Sequence, residues 1–359
     1  MSRVRAPYME WAKSRPKPAI DLAGSNLAAC TLDDLPGARE ALDLSGESPD
    51  GYAPLVAAIA ARHGVAPDRV ATATGCSGAN FFACAALLEP GDEVLVESPS
   101  YDPLPAAARL LGAGVRTFSR RFERGWAWDP GEVAGALTAR TRMILVSNPH
   151  NPTGTLASAD DLAALGALAA ARGVTVLVDE VYRDTVLVDR PPPAATLGEA
   201  FVSTSSLTKA YGLASLRCGW ALASPELVRR MRRVRDVVDV WAPIPSDRLS
   251  VVAFRHLDAL AARARTLIAS NAERVRTWLA GRGELACVPS RSTLAFPRFR
   301  DGAAAEAFPE RLFAATGTAV APGRFFGAPE HFRIAFGGPT DALDAGLASI
   351  SRFLDGGAA

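Results

Sequence analysis

The sequence predicts an α/β protein: a doubly wound, mostly parallel sheet in a large domain, with a smaller α+β domain. Three observations carry this reading. "RMILVSNP" (142–149) and "VTVLVDEV" (174–181) are short, β-branched-rich apolar runs, which suit central parallel strands covered on both faces. The segment between them, "SADDLAALGALAAARG" (158–173), opens on a good N-cap at Ser158 and ends near Gly173, so it reads as a crossover helix. Beyond "SPELVRRMRRVRDVV" (224–238) the strand–helix alternation gives way to a different pattern.

Taken in order, "YAPLVAAIAARHGV" (52–65) has helical spacing and precedes the turn-like "APDR". "NFFACAALLEPGD" (80–92) reads as a helix ended by Pro-Gly, and "EVLVES" (93–98) as a buried strand. In the later part, "STLAFPRF" (292–299), an Ala-rich helix, "HFRIAFG" (331–337) and "DALDAGLASISRFL" suggest a separate α+β unit. The expected division is 1–45 as an N-terminal arm with part of the small domain, 46–240 as the large domain and 241–359 as the small C-terminal domain. The basic run Arg229–Arg235 is expected to be a solvated helix surface.

The chain has 359 residues, 49% hydrophobic and 21% charged, which is ordinary for a folded protein and argues against disorder. A net charge of +1 gives no electrostatic reason to expect nucleic acid or an anionic membrane as partner. Five cysteines, odd in number and scattered, form neither a CxxC pair nor a disulfide framework, which points to a reducing, cytoplasmic setting. The N-terminus has charges throughout and no signal-like apolar core, and no apolar run reaches the length of a membrane span. The four histidines lack metal-ligand spacing, so no metal is expected.

Of the 39 basic residues only Lys13, Lys17 and Lys209 are lysines; the rest are arginines. Arginine stays protonated and cannot act as an amine nucleophile, so one retained interior lysine hints at amine chemistry. Its neighbourhood strengthens the hint. In an open α/β sheet, ligands bind beyond the carboxyl ends of the strands. "ILVSNPHNPTG" delivers Asn148 and Asn151 there, "VLVDEVY" delivers Asp179 and Tyr182, and "VSTSSLTK" delivers Ser206 and Lys209. An aspartate after the run Val174–Val178 is costly to bury unless a cation or donor meets it. A helix cap or structural ion pair would explain Asp179 alone. A shared ligand explains the group.

The stretch "SLTKAYGLASLRCG" resembles the lysine signature of class I/II aminotransferases, the pyridoxal-phosphate enzymes of fold type I. "TGCSGAN", "ESPSYDPL", "NPHNPTG", "DEVY" and "FRIAFG" match that family's other motifs in its order, across about residues 20–350. A Walker-type phosphate loop and a GxGxxG fingerprint are both absent. The resemblance implies a fold type I transferase whose large domain binds pyridoxal 5′-phosphate. It implies that Lys209 forms the Schiff base and shuttles the proton, and that Asp179 pairs with the pyridine nitrogen. Tyr182 and Asn151 would donate to the ring phenolate, and Tyr101 would stack on the ring. Gly75, Cys76 and Ser77 would hold the phosphate at a helix N-terminus, helped by Ser206 and Arg217. Cys76 reads as a small residue at a tight turn rather than a nucleophile. Arg333 would take the substrate carboxylate, joined by Asn151 and by Asn26 of "LAGSN". "DVWAPIPS" (239–246), with Trp241, is a further expected contributor to the side-chain pocket, and Asn151–Pro152 is a candidate cis peptide.

One departure from the family's pattern stands out. A Tyr-Gly pair usually precedes the glycine matching Gly51, its tyrosine reaching the partner's phosphate; here "LSGESPDGY" has Ser45 before Gly46. The expected function is an aminotransferase moving an amino group between an amino acid and a 2-oxo acid, as a homodimer with active sites at the interface. The alternative is a lyase, replacement or cyclising enzyme using the same cofactor on an amino acid. A regulator related to the transcription factors with an aminotransferase-like domain would need a DNA-binding module, and the chain enters the fold by about residue 20.

Overall fold

Seven strands pair into one central sheet of the computed structural model, which describes residues 5–301 and 307–356. In chain order these are β1 (Val70–Thr74), β2 (Glu93–Ser98), β3 (Gly114–Ser119), β4 (Thr141–Ser147), β5 (Thr175–Asp179), β6 (Phe201–Ser206) and β7 (Cys218–Leu222). Across the sheet they run β1-β7-β6-β5-β4-β2-β3. All neighbours are parallel except β7, which lies antiparallel between β1 and β6. This is the expected doubly wound, mostly parallel architecture.

Burial on both faces explains the apolar runs. Met143 and Leu145 of β4 and Leu177 of β5 face one core, with helix α2 (Gly75–Leu87) supplying Ala79, Phe82 and Ala83. Ile144 and Val146 of β4 and Val176 and Val178 of β5 face the other, with Leu162 and Leu165 of α3 (Ala159–Ala171). Successive residues point to opposite sides, so both sides must be apolar. The N-terminus of α3 is fixed as expected. Ser158 Oγ accepts from Asp161 N, while the Asp161 carboxylate accepts from Ser158 N and Oγ, a reciprocal cap.

The C-terminal part is built around β8 (Phe332–Ala335), the middle of a three-stranded antiparallel sheet between Leu294–Ala295 and Ala321–Pro322. The short strand Ile20–Asp21 pairs in parallel with Thr318–Ala319, tying the N-terminal chain to this sheet. The long helix Leu257–Ala280 and the helix Thr340–Leu354 pack over a core containing Phe308, Phe332 and Ile334. The Ala-rich helix expected between 299 and 331 is present as Phe308–Thr316; residues 302–306 lie outside the described residues.

Two expectations are corrected. In the helix Pro225–Val238, Arg229, Arg230 and Arg233 are solvated but Arg235 is buried, bonding Thr72 Oγ1 at 2.8 Å and the Asp239 carboxylate. The helix packs against β1, and at that position only a partnered guanidinium can be accommodated. Among the described residues the cis peptides are Ser98–Pro99 and Asn148–Pro149, not Asn151–Pro152; the second directly follows the end of β4 at Ser147.

Candidate active site

Strand register gathers the site. Ser147 and Asp179 are the last residues of β4 and β5 and pair directly; Ser206 ends β6 opposite Gly219. Thr74 ends β1 and pairs with Cys218, the first residue of antiparallel β7, so Arg217 emerges at the same sheet edge. There the chain walls a cavity of about 320 Å³, lined among others by Cys76, Asn151, Asp179, Tyr182, Lys209 and Arg217. That is the size of a small-molecule site.

Asp179 forms the floor and is buried. Its Oδ1 accepts from Val181 N at 3.1 Å and from the Cys76 thiol at 3.3 Å; its Oδ2 accepts from Asn80 Nδ2 at 2.9 Å. Thr204 Oγ1 donates to Asn80 Oδ1 and so fixes that amide's orientation. Burial still pushes the Asp179 pKa upward, against these donors and the Lys209 charge. Such a carboxylate is poised for a further N–H or cation. Burial pushes the Cys76 thiol well up, so it is a donor and not a thiolate.

Lys209 stands across the cavity, its Nζ donating to Asn26 Oδ1 at 2.6 Å and Ser25 Oγ at 3.0 Å. Desolvation by the cavity walls, then the Arg333 charge, lower its pKa to about 7, against the pull of Asp179. Near neutral pH much of it is a free amine, the form that attacks a carbonyl.

At a third corner α2 starts directly from β1, with Cys76 and Ser77 lining the cavity, while the Gly75 N–H donates to the Arg217 carbonyl at 2.7 Å. Gly75 has φ 73°, and a Cβ on it would meet the Arg217 guanidinium at 2.2 Å. A Cβ on Gly219 would meet the Gly75 carbonyl carbon at 2.2 Å. Both glycines are there because strand, helix start and guanidinium crowd one point. Cys76, Ser77, Ser206 and Arg217 thus form a cradle of N–H, hydroxyl and guanidinium donors, suited to a phosphate, and Gly75, expected as a further donor, instead shapes the turn behind it.

Arg333, at the fourth corner, is fully buried and stands behind the wall. Its Nη1 donates to Asn151 Oδ1 at 2.8 Å, and its Nη2 donates to Tyr8 Oη at 2.7 Å and to the Ala23 carbonyl at 2.9 Å. With Oδ1 occupied, Asn151 keeps its Nδ2 donor for the cavity. A buried polar chain supports this residue from below. Asn151 N donates to Ser147 Oγ at 3.0 Å, and Ser147 N and Oγ donate to Glu97 Oε1 at 2.6 and 2.8 Å. Arg120 closes the chain on Glu97 Oε2 at 2.8 Å. His150 is buried beside it, donating from Nε2 to the Pro99 carbonyl and accepting at Nδ1 from Thr153. Burial and the Arg120 charge hold it neutral.

Of the residues singled out from the sequence, Asn26, Cys76, Ser77, Tyr101, Asn151, Asp179, Tyr182, Ser206, Lys209 and Arg217 line this cavity and Arg333 stands behind its wall, whereas Gly75 and Asn148 do not line it. Trp241 does not line it: it stands 44% exposed on the surface. The sequence reading missed Asn80, Ser147, Glu97 and Tyr8, and it missed the hydrogen bond of Cys76. Asn80 was discoverable, because it lies one helical turn after Cys76 and so shares its face. Nothing local distinguishes Tyr8, on helix α1 (Pro7–Ser14), from a core tyrosine.

The donor set fits pyridoxal phosphate. Tyr182 Oη is buried with no hydrogen-bond partner among the described residues, a group awaiting one at the cavity wall. Burial pushes its pKa up to about 12, so it stays a donor. A phosphate cradle, an amine of lowered pKa, a carboxylate floor and a free phenol match the cofactor's four polar features. Among the described residues, no helix is long and apolar enough to cross a membrane, and no His, Cys, Asp and Glu cluster could hold a metal ion.

Comparison with known proteins agrees. Residues 44–350 match the family described as aminotransferase class I and II. Capreomycidine synthase of Streptomyces vinaceus is 36% identical, over 97% of this chain and 93% of that protein. Histidinol-phosphate aminotransferase of Sphingopyxis alaskensis is 32% identical, over 88% and 84%. Among solved structures, a PLP-dependent aminotransferase from Streptococcus suis superposes with a TM-score of 0.93 at 25% identity, covering 99% and 98% of the two chains. The PLP-dependent cyclase OrfR superposes at 0.89 with 30% identity, covering 99% and 98%.

Proposed function

Because the chain belongs to the class I and II aminotransferase family, with pyridoxal 5′-phosphate as its cofactor, we propose that it moves an amino group between an amino acid and a 2-oxo acid. The carrying observation is that Lys209, Asp179 and the phosphate-cradle residues Cys76, Ser77, Ser206 and Arg217 line one cavity of about 320 Å³. When bound, the cofactor supplies an electron sink that acidifies the substrate Cα–H.

The chain's own groups divide the remaining work. Lys209 Nζ anchors the cofactor and then moves the Cα proton, its lowered pKa matching that task. Asp179 holds a proton on the ring nitrogen, kept in place by Asn80, Cys76 and the Val181 N–H. Tyr182 and Asn151 Nδ2 donate to the ring oxygen, and Tyr101 covers the ring face. The α2 N-terminus, Ser206 and Arg217 hold the phosphate. Arg333, Asn151 and Asn26 serve the substrate.

We place the enzyme in the cytoplasm as a homodimer, without nucleic acid or membrane partners. Leu44, Val237 and Trp241 are exposed apolar side chains, which suit contact with a second copy. Ser45 Oγ donates to Asp43 of its own loop at 2.9 Å; either this serine makes the contact to the partner's phosphate or another residue replaces it. Sedimentation velocity tests the dimer. The division at residues 45 and 240 is supported by the pairing of Ile20–Asp21 with Thr318–Ala319, which gathers the arm with the C-terminal sheet.

A second reading, a cyclising enzyme on an amino acid, is favoured by one observation. Capreomycidine synthase and the cyclase OrfR match this chain over nearly their full lengths. One experiment separates the two: mixing the holo-enzyme with excess amino acid in a single turnover. Accumulated pyridoxamine phosphate, consumed on adding an oxo acid, supports transamination. Product formed steadily without it replaces that reading with the second.

A further inference from the structure

We propose that Tyr8, on the N-terminal helix α1, is a substrate-binding residue: its hydroxyl takes the amino acid's carboxylate and presents Arg333 to it. The inference rests on the reading of this cavity as an amino-acid site.

Arg333 is fully buried behind its partners Tyr8 and Asn151, which form the wall in front of it, although its Nε has no hydrogen-bond partner among the described residues. Both Nη2 hydrogens are engaged, by Tyr8 Oη at 2.7 Å and the Ala23 carbonyl at 2.9 Å, and one Nη1 hydrogen is on Asn151 Oδ1. A carboxylate meeting the guanidinium head-on would have to expel the phenol. Tyr8 is poorly placed to leave. Its ring is 7% exposed, packed among Trp11, Tyr101, Phe325 and Phe326 at centroid distances of 5.4–6.3 Å. Its backbone N–H is held by Asp102 Oδ2 at 2.9 Å.

The phenol is instead well placed to donate. Arg333 fills one acceptor position of Oη, and its other partner among the described residues, the Ala23 carbonyl, lies at a long 3.4 Å. The O–H is therefore available to a stronger acceptor, and a guanidinium donating into the same oxygen polarises it. Carboxylate charge then reaches Arg333 through Tyr8 on one side while Asn151 stands on the other. Helix α1 also carries Met9 and Ala12 into the cavity beside Leu104, an uncharged wall that fits an apolar side chain attached to that carboxylate.

The probe is 3-phenylpropionate, which keeps a carboxylate and an apolar side chain but has no amine to react. Its binding to the holo-protein is measured by titration calorimetry for wild type, Tyr8→Phe and Arg333→Ala. Tyr8→Phe keeps the ring and hence the α1 packing, so pyridoxal phosphate affinity should match wild type, while the melting temperature should fall modestly because Arg333 Nη2 loses its Oη acceptor and keeps the Ala23 carbonyl. Probe affinity should fall about ten- to a hundred-fold, the usual effect of losing a hydrogen bond to a charged group. KM for the amino acid should rise similarly, with kcat changed less. Unchanged or tighter binding in Tyr8→Phe would overturn the proposal, making Tyr8 a plug that the carboxylate displaces. Failure of the wild type itself to bind the probe would overturn the carboxylate site at Tyr8 and Arg333 together, a result distinct from a silent Tyr8→Phe.

Discussion

A side-chain carbon on Gly75 would stand 2.2 Å from an Arg217 amine nitrogen, so the first residue of α2 and the arginine before β7 share one space. Gly75 also has φ 73°, where an L side chain costs about 1–2 kcal/mol. Gly75→Ala should therefore push Arg217 off the phosphate cradle and lower apo-protein stability by about that amount. Pyridoxal phosphate affinity, read by fluorescence quenching, should drop at least about ten-fold, the loss of a charge-assisted contact. An unchanged affinity would mean Arg217 does not serve the phosphate.

The rate at which apo-protein captures pyridoxal phosphate should follow the neutral fraction of Lys209. With a pKa lowered to about 7, capture should rise with pH through 7 and level off near 9. An unperturbed lysine would keep the rate rising toward about 10.4. Arg333→Ala removes a like charge that lowers this pKa, so the profile should move to higher pH. Stopped-flow absorbance across pH 5.5–9.5 measures both. Lys209→Ala should bind the cofactor only noncovalently, with no borohydride-stable adduct.

Asp179→Asn should keep the fold and the cofactor but lose turnover by about 10²–10⁴-fold, the usual scale for a positioned proton-holding group. The amide still accepts from Asn80 but no longer favours a charged ring nitrogen. Asp179→Glu should be impaired less. Near-wild-type kcat in the asparagine variant would make the carboxylate structural.

Glu97→Ala should destabilise the protein by about 3–5 kcal/mol, because Arg120 would be left buried and unpaired. The urea midpoint should fall accordingly. Glu97→Gln, which still accepts from Ser147, should cost less. Equal midpoints for wild type and Glu97→Ala would show that water reaches Arg120.

The sequence by itself determined the sheet, the cofactor family and the residues at strand ends. Those features are local: an apolar run of period two, a capped helix, and motifs whose spacing carries Asp179, Tyr182, Ser206, Lys209 and Arg217 to one edge. Tertiary structure decided what touches them. Tyr8 reaches Arg333 across 325 residues and Asn26 reaches Lys209 across 183, contacts that no local pattern encodes. Glu97 could be read only as a strand residue until β2 and β4 lay side by side and put its carboxylate on Ser147. The same separation explains Trp241, whose aromatic character suited a pocket but whose chain segment leads to the surface. Strand and helix follow from the backbone's short-range preferences and the need to bury apolar faces. Which polar groups meet inside follows from how those faces pack, and that is fixed only when the whole chain has folded.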